Sequence, residues 1–131
     1  MLLDLTNQAR LANGLAPLAP HPALVTAAEE YAELHAYLSP DQLGHHLNGS
    51  TIDSRAEAEG YSGWTLMAEN LAWCSADPPL SPADVVQQWL ASEAHRDNIL
   101  NPTLNETGVG CYVRVSDQPF RICVQDFGAR P

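Results

Sequence analysis

The chain has 131 residues, about one domain's worth, enough to bury roughly two-thirds of its unfolded surface. Apolar residues make up 45% and charged residues 17%, a balance that excludes a disordered chain. Six basic residues against sixteen acidic ones give a formal net charge of −10, which repels phosphate backbones and anionic headgroups, so no nucleic-acid partner is expected. No apolar run approaches the ~18 residues of a membrane-spanning helix, so no membrane span is expected either.

Leu2, Leu5, Ala9 and Ala12 recur at three- and four-residue spacing and predict a first helix over 2–12. Asn13-Gly14 ends it, because Gly14 takes the left-handed C-cap conformation without strain. Met1-Leu2-Leu3-Asp4 leads straight into this helix without a signal-peptide pattern. Two readings stay open, a cytoplasmic protein or a mature domain given without its leader. Residues 15–20 read as a loop, and Pro22 suits the first turn of a second helix. That helix carries Leu24, Ala27, Ala28, Tyr31, Ala32 and His35 on one side, with Glu29, Glu30 and Glu33 mostly on the other.

Residues 40–50 are polar and turn-rich, and a short helix is expected over about 52–59, stopping at Gly60. Residues 61–67 read as irregular and 69–73 as a loop or short extended piece. Ser81-Pro82-Ala83-Asp84 is a helix start, with Ser as N-cap, Pro at the first position and an acid at the third. Val85, Val86, Trp89 and Leu90 form its core stripe. Ser92 is expected to cap a second short turn through His95 to Leu100, closed by Asn101-Pro102. Residues 107–115 and 120–127 read as strands joined by the turn-prone Ser116-Asp117-Gln118-Pro119. Helices first and strands last predict an α+β layered domain, and the absence of repeats or linkers makes 1–131 a single unit.

Cys111 and Cys123 lie on these two strand-like runs, and a hairpin turning near Asp117 sets them almost opposite one another. A disulfide and two buried thiols both remain open; Cys74 is left over as a small buried apolar group.

Five ordered blocks carry a family signature. They are Asn7-Gln8-Ala9-Arg10 with Gly14-Leu15-Ala16-Pro17-Leu18, and His45-His46-Leu47-Asn48-Gly49 with Arg55 and Gly60-Tyr61. Glu69-Asn70-Leu71-Ala72 follows, then Trp89 to Leu100, and finally Gly108-Val109-Gly110 with Asp126-Phe127-Gly128. Together they resemble the bacterial branch of the CAP superfamily of cysteine-rich secretory, antigen 5 and pathogenesis-related proteins. The resemblance implies a three-layer α-β-α sandwich with a small, mainly antiparallel sheet and a cleft lined by His45, Glu69 and His95. It also implies a location outside the cytoplasm, with any signal peptide lying outside this sequence.

Two imidazoles and a carboxylate suit two chemistries. His45 and His95 can ligate a divalent metal such as zinc and leave a position open for water. His45, Glu69 and His95 can equally form a proton-transfer set in which Glu69 orients a histidine. A Glu–His bond that merely satisfies two polar groups is the plainer alternative. His46 reads as a solvated loop residue, because neighbouring side chains in extended segments point apart; His21 and His35 read as surface or helix-face residues. Many eukaryotic members carry a second acidic cleft residue where this chain has Ser92. Glu93 is one step further on, turned by ~100° on a helix. No Gly-x-Ser-x-Gly elbow makes Ser92 a nucleophile. Asn70 and Asn98 read as bridges between loop backbones, and Arg96 as a bidentate partner for a carboxylate.

Three functions follow as expectations. The first is a binding domain whose cleft takes a small ligand, peptide or divalent metal. Next comes a hydrolase using His45, Glu69 and His95 with or without zinc. Third is a lipid or sterol carrier, which needs an exposed apolar groove.

Overall fold

The computed structural model describes residues 1–38, 44–76, 80–114 and 119–131. Helix α1 (Leu2–Ala12) is followed by a two-residue strand β1 (Ala19–Pro20) and helix α2 (Pro22–Ala36). A 3-10 turn (Leu47–Gly49) leads to α3 (Ile52–Ala58), β2 (Leu66–Ser75), α4 (Pro82–Ala91) and α5 (Glu93–Ile99). Strands β3 (Glu106–Arg114) and β4 (Phe120–Ala129) complete the chain. The sheet order is β1-β3-β4-β2, antiparallel except for the short parallel β1–β3 pair.

Local chemistry sets most of these boundaries. Thr51 and Ser81 each accept from the backbone N–H three residues on, while Ser54 and Asp84 reach back, so both α3 and α4 begin with a capping box. Gly14 at φ 75° and Gly60 at φ 93° turn the chain out of α1 and α3 in a conformation that favours glycine.

Strand β4 is the middle of the molecule. Every residue from Ile122 to Ala129 is buried, because helices cover both faces of the strand. Ile122 and Val124 pack with Ala28, Tyr31 and Ala32 of α2 on one face. On the other, Cys123 and Phe127 pack with Leu2 of α1, Val85, Val86 and Trp89 of α4, and Ile99 of α5. The result is the expected α-β-α layering. Helix α2 lies so close to β3 that a Cβ at Gly108 would overlap the backbone of Leu24 and Val25, and one at Gly110 that of Ala28 and Glu29.

The first sequence block acts as a staple. Asn7 exchanges two hydrogen bonds with the backbone of Leu18, at 3.1 and 2.8 Å. Arg10, only 2% exposed, donates to the carbonyls of Ala16, Ile99, Asn101 and Leu104 at 2.8–3.1 Å. Four orphan carbonyls at the end of α5 and in the loops around it are thus satisfied by one guanidinium.

Three expectations need correction. The loop read over 15–20 contains β1, which borrows its regularity from β3. The piece read as a loop or short extended run at 69–73 belongs to a ten-residue strand, paired with β4 from Leu66↔Ala129 to Ser75↔Phe120. Ser92 sits at the N-cap position of α5 but its side chain makes no capping bond. The turn expected at 116–119 lies, apart from Pro119, outside the described residues.

Candidate functional site

Glu69 projects from the middle of β2 onto the face covered by α2 and α3. Leu71 packs against the α2-side cluster, and alternation along the strand puts Glu69, Leu71 and Trp73 on that same face. Asn70 points the other way, toward α5. Two adjacent buried polar residues on opposite faces therefore serve different elements.

The Glu69 carboxylate is 2% exposed and is held from two directions. Arg55 on α3 donates from Nη2 to both oxygens, at 2.8 and 2.7 Å. Nδ1 of His45 lies 2.9 Å from Oε1. Burial alone would raise the pKa of Glu69, but hydrogen bonds from His45 and Asp126 and the Arg55 charge outweigh it and hold the carboxyl below its usual range. Glu69 is thus an acceptor only, so Nδ1 of His45 carries hydrogen and donates. In the neutral ring the remaining lone pair is on Nε2, and the side chain is 45% exposed.

His45 follows a backbone gripped by both neighbouring helices. Nη1 of Arg55 donates to the His45 carbonyl at 2.9 Å and to Oγ of Ser50 at 2.8 Å. The Tyr31 hydroxyl donates to the Gly44 carbonyl and accepts from the Leu47 N–H at 3.2 Å. The Arg55 guanidinium lies over the Tyr31 ring, 3.5 Å from its centroid.

His95 approaches from the opposite layer. Nδ2 of Asn70 donates to its carbonyl at 3.1 Å, and Asn98 donates to Oδ1 of Asn70 at 2.8 Å, tying α5 to β2. The ring is half-buried. Burial lowers its pKa, and the charge of His45 lowers it further, so the two imidazoles are electrostatic neighbours although fifty residues apart in sequence. His45 and Glu69 are therefore in direct contact, and His95 is within charge range of His45.

Asp126 completes the site from beneath. It is the register partner of Glu69, is fully buried, and has no well-aligned hydrogen bond to either oxygen among the described residues. Burial and the facing Glu69 carboxylate raise its pKa well above normal, so its neutral form is favoured beside a carboxyl whose ionised form is favoured. Its contact with Glu69 falls short of good hydrogen-bond geometry yet acts on both groups.

Several readings of individual residues change. Arg96, expected as a bidentate partner for a carboxylate, is exposed; the arginine on Glu69 is Arg55, which reaches both oxygens from Nη2 alone. Ser92 is half-buried at the start of α5 and Glu93 is exposed. His46 is exposed, as read. His21 caps α2, its Nδ1 accepting from the Ala23 N–H at 3.1 Å. His35 is fully buried, on the side of α2 that carries Leu24, Ala28 and Tyr31. Cys111 and Cys123 are register partners joined by a disulfide, and Cys74 is a buried thiol. Trp73 is 41% exposed on the Glu69 face of β2, its ring against Phe120, whereas Trp64 donates to Glu57. A groove of about 240 Å³ lies between α2 and α3, lined by Tyr31, Leu34, Leu47, Arg55 and Ala58. Its lining does not include His45, Glu69 or His95.

Tyr31 and Asp126 were not foreseen as parts of this site. The one signal for Asp126 was an acid inside an otherwise buried strand pattern, since charges are rarely fully buried without a partner.

The comparisons with known proteins agree with this architecture. The sequence model of the cysteine-rich secretory protein family, CAP, matches residues 3–127. The uncharacterized protein YkwD of Bacillus subtilis is 32% identical over 111 residues, covering 83% of this chain and 40% of that protein. The chain spans less than half the length of the curated relatives it matches. An outer surface protein from Borrelia burgdorferi superposes with a TM-score of 0.80 at 25% identity, over 99% of this chain and 90% of that one. An extracellular protein with an SCP domain from Bacillus anthracis gives 0.75 at 26% identity, over 98% of this chain and 39% of its own. With nearly its whole length matched, and with the five sequence blocks each placed in the fold, the chain belongs to the cysteine-rich secretory protein (CAP) family.

Proposed function

We propose that this chain is an extracytoplasmic binding domain that receives a small ligand, peptide or divalent cation at the imidazoles of His45 and His95. The observation that carries the reading is the commitment of Glu69. Both of its oxygens are engaged by Arg55 and one also by His45, so it serves to orient the His45 ring rather than to touch the ligand. What is offered outward is Nε2 of a half-exposed ring, beside a second imidazole whose lowered pKa favours the neutral, lone-pair form.

Such a pair fits a cation only in part. Among the described residues no three His, Cys, Asp or Glu side chains converge to hold a metal. His45 and His95 would supply two ligands to zinc, and water or the bound ligand the rest. When bound, a divalent ion would supply Lewis acidity at this position.

A location outside the cytoplasm is supported by the Cys111–Cys123 disulfide, which belongs to an oxidising compartment. Relatives described as an outer surface and an extracellular protein point the same way. No helix among the described residues is long and apolar enough to cross a membrane.

A hydrolase is the second reading, favoured by the 2.9 Å His45–Glu69 contact, which matches a general base and its orienting acid. The lipid or sterol reading draws little support from a groove of about 240 Å³, below the ~300–1,000 Å³ usual for drug-sized ligands.

Calorimetric titration with zinc chloride, at moderate ionic strength to suppress weak binding by a chain of charge −10, tests the reading. Binding by the wild type that disappears in His45→Ala/His95→Ala supports a cation at the imidazole pair. Affinity unchanged in the double variant would assign the metal to surface acids and remove it from the proposal.

A further inference from the structure

His35 is a buried titratable group that takes no part in the site described above. It is fully buried on α2, with its Nδ1 2.9 Å from the Tyr31 carbonyl one turn back. A carbonyl can only accept, so Nδ1 carries hydrogen, and in the neutral ring Nε2 is left as an acceptor. Nε2 lies 3.1 Å from the amide nitrogen of Gly44 and 3.0 Å from its carbonyl oxygen. A neutral ring can therefore bind only the Gly44 N–H, while the Gly44 carbonyl is served by the Tyr31 hydroxyl. A doubly protonated ring has no acceptor left. It strands the Gly44 N–H and turns Nε2 into a donor to the Gly44 carbonyl, whose second lone pair is open beside the Tyr31 bond.

Gly44 is the residue before His45. We propose that His35 is the positioning residue of His45: its Nδ1–H tautomer holds the Gly44 amide and so keeps the His45 ring against Glu69, and a second proton on His35 breaks the bond to that amide and shifts the ring's partner to the Gly44 carbonyl. The proposal rests on the binding role given to His45 above. Arg55 holds the segment at the His45 carbonyl, and the Tyr31 hydroxyl holds it at the Gly44 carbonyl and the Leu47 N–H, so loss of the His35 contact loosens one anchor of several rather than unfolding the turn.

Among the described residues, charged and titratable groups stand on several of the surrounding elements. On α2 itself Tyr31 shares Gly44 with His35, and its ring meets the His35 ring edge-on at 4.4 Å. Arg55 of α3 covers the Tyr31 ring, and Glu69 of β2 and Asp126 of β4 act on Tyr31 by charge. From β3, Arg114 reaches the Leu38 carbonyl beyond the end of α2 at 3.3 Å.

The test is a pH series of long-range ¹⁵N correlations on the histidine rings of the whole chain, with backbone amides followed in parallel. At alkaline pH His35 should show a protonated Nδ1 and a bare Nε2. As it takes its second proton, the Gly44 amide and the His45 ring signals should shift with the same midpoint. Two variants separate the hydrogen bond from mere filling of space. His35→Gln keeps an acceptor for the Gly44 amide and should retain the wild-type His45 signals. His35→Leu has none and should lose them, with zinc affinity weakened by about tenfold, the equivalent of one lost hydrogen bond. If no variant, nor the wild type, binds zinc, the cation reading of the site fails while the ring signals still decide the role of His35. An Nε2–H tautomer in the neutral ring overturns the proposal. So do Gly44 and His45 signals indifferent to the His35 titration, and these wild-type spectra decide should His35→Leu not fold.

Discussion

Glu69 and Asp126 face each other across β2 and β4, and folding favours the ionised form of the first and the neutral form of the second. The asymmetry comes from their partners. Glu69 has Arg55 and His45, whereas Asp126 has no cation of its own and lies wholly in the interior. Two carboxylates cannot both ionise so close together out of water, so the proton stays on the less favoured one.

That division makes Asp126→Asn a revealing substitution. A carboxyl whose pKa is raised by folding stabilises the native state most at low pH. Above the unfolded value the unfolded chain gives up a proton that the native chain keeps, so stability falls as pH rises toward the folded pKa. Asparagine keeps an N–H donor beside Glu69 and has nothing to ionise. The melting temperature of Asp126→Asn relative to wild type should therefore climb between about pH 4 and pH 7. A constant difference across that range would mean that Asp126 is charged in the fold.

Glu69→Gln should do the opposite. It leaves the Arg55 guanidinium, 12% exposed, without its counter-charge, and breaking a buried pair by removing one member costs about 3–5 kcal/mol. The pKa of Glu69 is lowered by folding, so its contribution is present above the unfolded value and is lost as pH falls through the folded one. Urea unfolding should show a large deficit at pH 7 that shrinks in acid. An equal deficit at pH 7 and pH 3 would show that packing, not charge, is lost.

These two residues also show where reading the sequence stops. Helix ends were legible because their signals are local: Thr51 and Ser81 cap within three residues, and Gly14 turns the chain beside its own helix. Strand β2 was not, since Glu69 and Asn70 are polar on both faces and hide the alternation by which a strand is recognised. Its partner β4 lies some fifty residues on. The family blocks named His45, Glu69 and His95, but not Arg55 as the partner of Glu69, because residue type alone does not say which arginine reaches a carboxylate. His35 was placed on the buried side of α2 by spacing, yet its partner is a backbone amide, which no pattern of side chains displays.

His95 offers a direct check of the imidazole pair. Its proton NMR titration should give a midpoint below the unperturbed ~6.5, because burial and the His45 charge both disfavour the imidazolium. In His45→Gln the midpoint should move back toward that value, since one of the two causes is gone. Indifference to His45→Gln would mean that the two rings are not electrostatic neighbours.

Gly110→Ala tests the close approach of α2 to the sheet. A methyl group there meets the backbone of Ala28 and Glu29, which cannot rotate aside as a side chain can. Overpacking of this kind typically costs about 1–3 kcal/mol, more where backbone must move. Thermal unfolding should show a clear loss, and an unchanged melting temperature would contradict the observed separation of α2 from β3.

The disulfide makes the last prediction. Cys111 and Cys123 pair across β3 and β4, while Cys74 is a buried thiol on β2. Alkylation in denaturant without reductant should therefore modify one cysteine, and alkylation of the native protein should modify it slowly, since the thiol is shielded until the chain opens. With reductant present, three should react. The bridge closes a loop with a sequence separation of 12, short enough that its removal costs about 2–4 kcal/mol by restoring freedom to the unfolded chain. The Cys111→Ser/Cys123→Ser protein should accordingly unfold at lower denaturant but keep its His45 and His95 signals, because Cys123 lies on the α4 side of β4 whereas Glu69 and its register partner Asp126 lie on the α2 side. Three reactive thiols in the unreduced protein would remove both the bridge and the support it lends to a location outside the cytoplasm.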